Sequence, residues 1–120
     1  MPSTIQPIIM TEDLDRLQTF YTALLDAKET ERFPAEGPTF FVGLRVGDSD
    51  LGLVSESAGA ADAPQRMLLS VDVDDVVARL EQVETLGGRV LGPPNDMPWG
   101  QRVAHIQDPD GNAVNLTQPI

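Results

Sequence analysis

The sequence predicts an α+β fold made of two βαβββ modules. One order of elements (strand, acidic helix start, helix, connection, hairpin) occurs in residues 4–54 and again in residues 67–118. The helix starts Asp13-Leu14 and Asp75-Val76 occupy equivalent places in the two halves. The helix of each module can cover only one face of its sheet, so the other face must contact something else. Residues 55–66, which are small, polar and rich in alanine, are predicted to link the modules.

The composition is typical of a globular protein and narrows the possible functions. The chain has 120 residues, 41% hydrophobic and 22% charged, enough for one domain with a core. It lacks cysteine, which excludes disulfides, thiolate nucleophiles and cysteine-ligated metals. A net charge of −11 disfavours nucleic acid and anionic membranes as partners, and it suits either solubility or a cationic ligand. No signal peptide or membrane span is recognisable, so a cytoplasmic location is expected.

In the first module, residues 4–10 are predicted to form a strand, and Thr11 to cap the helix that follows. Apolar residues recur at helical spacing up to Asp26 or Ala27, where the helix should end. Residues 28–37 are interpreted as a polar connection, so the first of the three later strands is only faintly indicated. Residues 39–46 and 51–54 should form a hairpin around Gly47-Asp48-Ser49.

The second module repeats this order. Residues 67–73 alternate apolar and polar side chains, as a half-buried strand does. Asp74 is predicted to cap a helix that ends at Gly87-Gly88, followed by a short strand over residues 89–91 and a proline-rich loop over 92–98. A hairpin over residues 99–120 closes the chain and turns at Asp108-Pro109-Asp110-Gly111-Asn112.

The closing hairpin carries the only histidine of the chain. The residues that alternate toward the core are apolar, namely Ala104, Ile106, Val114 and Leu116. His105 and Asn115 then point the other way, and they should lie nearly opposite each other.

The same alternation sorts the other strand residues between the two faces of each sheet. We call the face turned away from the helix of its own module the inner face. Its apolar side chains are predicted to include Ile8, Met10, Phe41 and Leu68, and its polar ones Gln6, His105 and Asn115. Met97 and Trp99 are expected on a loop at its rim. Such a surface is typical of a binding site for a small organic molecule.

Each of these residues also has a structural interpretation. Trp99 either stacks on a planar ligand or plugs the end of the sheet. His105 either contacts a ligand or is an interior histidine satisfied by Asn115. Phe41 and Met10 either contact the ligand or belong to the core or a dimer interface.

Taken together, the DPDGN hairpin, the preceding Met97-Pro98-Trp99-Gly100 and the helix with Asp13-Leu14 and Phe20-Tyr21 resemble the vicinal oxygen chelate superfamily. That superfamily includes glyoxalase I, extradiol dioxygenases, fosfomycin-modifying enzymes and bleomycin-resistance proteins. The resemblance implies that the two modules curl their sheets into an open cup. It also implies that the chain forms a homodimer.

The resemblance further implies four inward positions where the enzymes hold a divalent metal, and in this chain these are Gln6, Gly52, Leu68 and Asn115. Glycine and leucine offer no donor atom, and asparagine replaces a charged glutamate. Adding His105 gives a set without a carboxylate, which is a poor site for a divalent cation. We therefore expect no metal and no cofactor. A different strand register would instead bring Asp50 or Asp72 toward the site.

The sequence thus predicts a metal-free protein that binds and sequesters a small, largely planar organic molecule, aromatic or cationic, such as an antibiotic. One alternative is a metal-dependent lyase, isomerase or dioxygenase of the same superfamily. Another is a metal-free isomerase that uses His105 as acid and base. A nucleophilic set of His105 with Ser70 and Asp72 lacks a supporting nucleophile motif.

Overall fold

The computed structural model describes residues 5–56 and 67–120. The chain divides into two compact units, Met1–Gly59 and Ala60–Ile120, each with one helix and one mixed sheet. The predicted α+β class is therefore confirmed. Residues 57–66 of the predicted linker lie outside the described residues. Within the described ranges, no helix is long and apolar enough to cross a membrane.

The first unit contains β1 (Ile8–Thr11), α1 (Leu14–Leu25), β2 (Lys28–Phe33), β3 (Phe41–Val46) and β4 (Ser49–Ser55). Its strand order is β1-β4-β3-β2, with β1 parallel to β4 and the other pairs antiparallel. The apolar stripe of α1 packs against β3 and β4. The buried residues of this core are Leu14, Leu17, Phe20, Tyr21, Leu24, Val42, Leu44, Leu51 and Leu53.

The start of α1 differs from the prediction in two respects. The strand begins at Ile8 and includes Thr11, so Thr11 is not the helix cap. Its buried hydroxyl instead accepts the Asp13 N–H at 3.0 Å. Asp13 is the cap, because its carboxylate accepts the Arg16 N–H at 3.2 Å.

Residues 28–33, predicted to be a polar connection, form the edge strand β2. Five of its six residues are exposed, so both faces are polar and no alternation marks it as a strand. Backbone pairing with β3 holds it in the sheet, with an irregularity in register between Glu29 and Glu31.

The second unit contains β5 (Leu69–Asp72), α2 (Val76–Val83), β6 (Arg89–Val90), β7 (Asn95–Asp96), β8 (Gln101–Gln107) and β9 (Ala113–Pro119). The main strand order is β5-β9-β8-β6, and β7 also pairs with β8. The predicted loop over residues 92–98 therefore contains a two-residue strand. Helix α2 packs against β6, β8 and β9, and its core residues are Val76, Val83, Ala104, Ile106, Val114 and Leu116.

Helix α2 is capped one residue later than predicted. Asp75 accepts the Ala78 N–H at 3.2 Å, whereas Asp74 forms an ion pair with Arg79 at 3.0 Å. The Gln118 side chain also accepts the Val76 N–H at 2.6 Å, from a strand 42 residues away in sequence. The helix ends at Val83 rather than at the glycines, and the Gly88 N–H then donates to the Val83 carbonyl at 2.9 Å.

The turn between β8 and β9 is organised by Asp108, which is only 2% exposed. Its carboxylate accepts the backbone N–H groups of Asp110 and Asn112 and the Asn112 side-chain amide, at 2.8–3.0 Å. Gly111 adopts a positive φ of 85°, a conformation that favours glycine. This turn determines the register of the hairpin and therefore which residues face each other on it.

Candidate functional site

His105 and Asn115 form a side-chain pair on the inner face of the second sheet. They are direct partners in the register of β8 and β9, which confirms the predicted opposition. The His105 Nδ1 atom lies 2.6 Å from the Asn115 Oδ1 atom. His105 is exposed and Asn115 is half-buried, so the description of His105 as an interior histidine is wrong. The pair is hydrogen-bonded but remains accessible.

Two further residues extend this pair into a row across the sheet. Ser70 on β5 is the register partner of Asn115 on β9. On the other side, the Leu91 N–H donates to the His105 carbonyl at 3.0 Å, just beyond the end of β6. Cross-strand neighbours share one face, so Ser70, Asn115, His105 and Leu91 line the inner face in that order.

The exposed side chain of Leu91 was not among the predicted site residues. Val90 and Leu91 are both apolar, so no alternation in the sequence distinguishes them; in the structure Val90 is half-buried and Leu91 is exposed. The row also shows why Ser70 and His105 are not a nucleophile and its base. The intervening strand separates their backbones by about 10 Å. Among the described residues no hydrogen bond joins Ser70 to His105, whose Nδ1 atom contacts Asn115 instead.

Met97 and Trp99 lie in the tight turn between β7 and β8. The Gly100 N–H donates to the Met97 carbonyl at 3.0 Å, which closes this turn. The Trp99 Nε1–H donates to Gln101 Oε1 at 2.9 Å, and the side chain is 67% exposed. Trp99 therefore does not plug the sheet by burial, and its ring remains available for stacking. Gln101 precedes His105 by four residues on one strand, so their Cα atoms lie about 13 Å apart.

The inner face of the first sheet carries an apolar row. Met10, Val54, Phe41 and Phe33 are consecutive register partners across β1, β4, β3 and β2. Met10 and Phe33 are exposed, whereas Phe41 and Val54 are half-buried. Phe33 was missed because β2 was not recognised as a strand. Phe41 and Met10 therefore belong to an exposed surface rather than to the core.

The Phe41 ring lies across Gly52 in this sheet. A Cβ atom added to Gly52 would come within 3.0 Å of Phe41 Cε2 and 3.1 Å of Ile8 Cγ1. A metal-ligating side chain at position 52 would have to project into space that the Phe41 ring and the Ile8 side chain already fill. Gln6 is exposed and lies just before β1.

The residues at the four implied metal positions do not fit a divalent cation. In the first unit, Phe41 covers Gly52, and the nearby Asp50 forms an ion pair with Arg45 at 2.6 Å. The second unit has the apolar Leu68 and the amide of Asn115, whose oxygen is in contact with His105. Among residues 5–56 and 67–120, no group of three or more His, Asp or Glu side chains is placed to hold a metal.

The resolved pKa shifts belong to ion pairs away from these rows. Hydrogen bonds from Arg32 and Gln18 lower the pKa of Glu29. Hydrogen bonds from Arg102 lower the pKa of Asp96. Arg32 is the register partner of the buried Val42, and Arg102 is the register partner of Gln118, which caps α2. Both ion pairs therefore lie on the helix side of their sheets. These shifts therefore have a structural cause and do not mark a reacting group.

Two βαβββ units, the second with the additional strand β7, define a domain of paired modules. The chain belongs to the Glyoxalase/Bleomycin resistance protein/Dioxygenase superfamily, whose family model matches residues 4–116. The resemblance found in the sequence is thereby confirmed. The superfamily covers both resistance proteins and enzymes, so membership alone leaves the activity open.

A Mycobacterium bovis protein, CFP32, whose name provisionally assigns it to the glyoxylases, is 27% identical over 111 residues. This alignment covers 92% of the present chain but only 42% of that protein. The chain thus spans less than half the length of this relative.

Two solved structures show the same fold. The fosfomycin resistance protein FosX from Mesorhizobium loti matches with a TM-score of 0.76 and 18% identity, covering 97% of this chain and 90% of its own. The bleomycin resistance determinant encoded on transposon Tn5 matches with a TM-score of 0.69 and 21% identity, covering 98% of both chains. Similarity at this level of identity establishes the fold alone.

Proposed function

We propose that this protein binds a small, largely planar organic molecule, such as an antibiotic, and sequesters it without breaking a bond. The contact between Asn115 and His105 supports this proposal most directly. At a position where the resemblance implies a charged metal ligand, this chain has a neutral amide that already interacts with a neighbouring side chain. The inner face is thus equipped for hydrogen bonding rather than for metal chemistry.

The exposed and half-buried apolar side chains would supply the affinity. On the first sheet these are Phe41, Met10 and Ile8, with Phe33 and Gln6 beside them. On the second unit they are Trp99, Met97 and Leu68, with Leu91 added by the structure. Aromatic rings and thioethers bind planar guests through stacking and dispersion, and His105 and Asn115 would orient the guest.

The proposal is tested by titrating the protein with bleomycin and with a panel of planar aromatic antibiotics. Trp99 is the only tryptophan, so fluorescence excited selectively at tryptophan reports on its surroundings. Saturable binding, with the compound recovered unchanged by mass spectrometry, is the expected result. Stoichiometric zinc, nickel, manganese or iron in protein purified without chelator would contradict the proposal, and would favour a metal-dependent enzyme.

Replacing Trp99 by alanine should weaken binding if its exposed ring stacks on the guest. A lost aromatic contact of about 1 kcal/mol corresponds to a roughly fivefold rise in Kd, measured by calorimetry because the fluorophore is removed. Replacing Tyr21, a residue of α1 whose ring is buried in the core, by phenylalanine is the matched aromatic control. Equal affinities of the wild type and the Trp99→Ala variant would remove Trp99 from the site.

We also propose that the protein acts as a homodimer, because each unit exposes apolar side chains on its sheet. Ile8, Met10 and Phe33 are examples in the first unit, and Leu68 and Leu91 in the second. Sedimentation equilibrium at micromolar concentration tests this, and a purely monomeric species would contradict it. The cytoplasmic location remains a prediction from the sequence.

The accessibility of His105 favours a second candidate function, metal-free acid–base catalysis. An exposed imidazole with one nitrogen engaged can still exchange a proton at the other. In that case the compound would be recovered as an isomer, and turnover would vanish in His105→Ala while binding persisted. Recovery of unchanged compound from the wild type would exclude this candidate for the compounds tested.

A further inference from the structure

We infer that Asn115 is a positioning residue that sets the tautomer of His105, and that the bound guest presents an O–H or N–H donor to His105 Nε2. The inference rests on the proposed binding function. It specifies the chemistry of the guest, a planar aromatic that carries a hydrogen-bond donor.

The first step concerns which atom carries the proton. The Asn115 Oδ1 atom lies 2.6 Å from His105 Nδ1, and a carbonyl oxygen can only accept a hydrogen bond. The Nδ1 atom of His105 must therefore carry the hydrogen. In the neutral ring, Nε2 is then left with a free lone pair and acts as an acceptor.

The second step concerns what can reach that lone pair. His105 is exposed on the inner face, between Asn115 and Leu91 in the row across the sheet. No hydrogen bond to Nε2 is found within the described residues, so this acceptor is open to a guest. A guest that offers only acceptor atoms cannot bond to it. One with a phenol, an amide N–H or an amine can.

The third step concerns why Asn115 matters for this specificity. A solvent-exposed neutral histidine favours the opposite tautomer, with the hydrogen on Nε2. The contact with Asn115, which lies on β9 between β5 and β8, reverses that preference. Replacing Asn115 therefore changes His105 from an acceptor into a donor without removing the ring.

The tautomer is measured by two-bond ¹H–¹⁵N correlation spectroscopy on uniformly ¹⁵N-labelled protein in mildly alkaline solution. The chain has a single histidine, so its ring nitrogens give the only imidazole signals once any affinity tag is removed. We expect Nδ1 protonated in the wild type and a shift toward protonated Nε2 in Asn115→Ala. Asn115→Asp should restore protonated Nδ1, because a carboxylate also accepts from it.

Gln107→Ala is the matched control, since Gln107 is on the same strand and face as His105 but pairs with Ala113. It should leave the wild-type tautomer unchanged. Protonated Nε2 in the wild type would overturn the inference, because the Asn115 amide would then be donating to Nδ1.

The guest chemistry is tested with two probes of one shape, 2-naphthol and 2-methoxynaphthalene. The naphthol should bind more tightly, by about threefold to tenfold, and should shift the His105 Nε2 signal. The difference should disappear in Asn115→Ala. Equal binding of both probes would overturn the donor requirement while leaving the proposed aromatic binding intact. Binding of neither probe would count against the proposed function itself, and the tautomer spectrum would still decide the role of Asn115.

Discussion

At the scale of single residues, Gly52 and Phe41 together show why position 52 cannot serve as a metal ligand. The glycine leaves a gap in β4, and the ring of its neighbour on β3 occupies that gap, together with Ile8 of β1. Any side chain introduced at position 52 meets this ring before it meets a guest. Position 52 therefore supports a contact surface, and its conversion to a ligand would require Phe41 to move.

Gly52→Ala should destabilise the protein by about 1–3 kcal/mol, since the new Cβ atom lies within 3.1 Å of two side chains. Urea unfolding measures the loss. Gly92→Ala is the control, because no atom lies within 4 Å of its added Cβ, and it should change stability by less than about 0.5 kcal/mol. Adding Phe41→Leu to Gly52→Ala should recover part of the loss. Equal stability of the two alanine variants would show that the Phe41 ring can move aside without a measurable loss of stability.

At the scale of elements, the β8–β9 hairpin depends on one buried carboxylate. Asp108→Ala leaves two backbone N–H groups and the Asn112 amide without their acceptor, so we expect a loss of about 2–3 kcal/mol. Asp108→Asn retains an oxygen for the backbone groups and should lose less. Asp48→Ala, in the exposed turn between β3 and β4, is the control for thermal unfolding. Equal melting temperatures for Asp108→Ala and Asp48→Ala would contradict this role.

The edge strand β2 is tied to α1 by a network of Glu29, Arg32 and Gln18. Arg32 donates to Glu29 at 2.7 Å, and Gln18 Nε2 donates to Glu29 at 2.7 Å as well. Arg32 also donates to Thr39 at 2.6 Å, on the far side of the β2–β3 connection. These hydrogen bonds hold β2 in place, since a strand with five exposed residues out of six has little apolar packing to do so.

The stability contributed by this network should depend on pH, because it lowers the pKa of Glu29 below the ordinary 4.5. A lowered carboxyl pKa stabilises the folded state above the unfolded value, and the contribution disappears as pH falls through the folded value. Wild type and Arg32→Met should therefore differ in urea midpoint at about pH 6 and converge at about pH 3. The difference will be small, since the side chains of Arg32 and Glu29 are both partly accessible to solvent. A constant difference at all pH values would assign the effect of Arg32 to packing.

At the scale of the whole molecule, we expect the net charge of −11 to favour the binding of cationic guests. Affinity for a cationic acridine should fall by roughly threefold when salt rises from about 0.02 to 0.3 M, since screening shortens the range of the field. Affinity for uncharged acridone should stay nearly constant, and it serves as the control. Parallel salt dependence of both compounds would show that the acidic surface serves solubility alone.

The local pattern of apolar and polar residues was sufficient to predict the strands and helices that bury one face. The alternation in residues 103–117 predicted the hairpin, the core side of Ala104, Ile106, Val114 and Leu116, and the opposition of His105 and Asn115. Helical spacing predicted α1 to within two residues of its end. The buried face of such a strand or helix can be read from its sequence, because apolar side chains recur on the face toward the core and polar ones on the face toward water.

Other features depended on the tertiary structure. The polar residues of β2 show no pattern because both its faces meet solvent, so the place of Phe33 beside Phe41 could not be recognised in the sequence. The cap of α1 moved to Asp13 because β1 extends to Thr11. Helix α2 is capped by Asp75, whereas Asp74 pairs with Arg79, and Gln118 also reaches α2 from a distant strand. The roughly 13 Å between the Cα atoms of Gln101 and His105, the ring over Gly52 and the engaged amide of Asn115 follow from strand register and side-chain direction. The sequence alone determined which faces of the strands would be buried, whereas contacts between strands distant in sequence decided which side chains meet, since such contacts leave no local pattern.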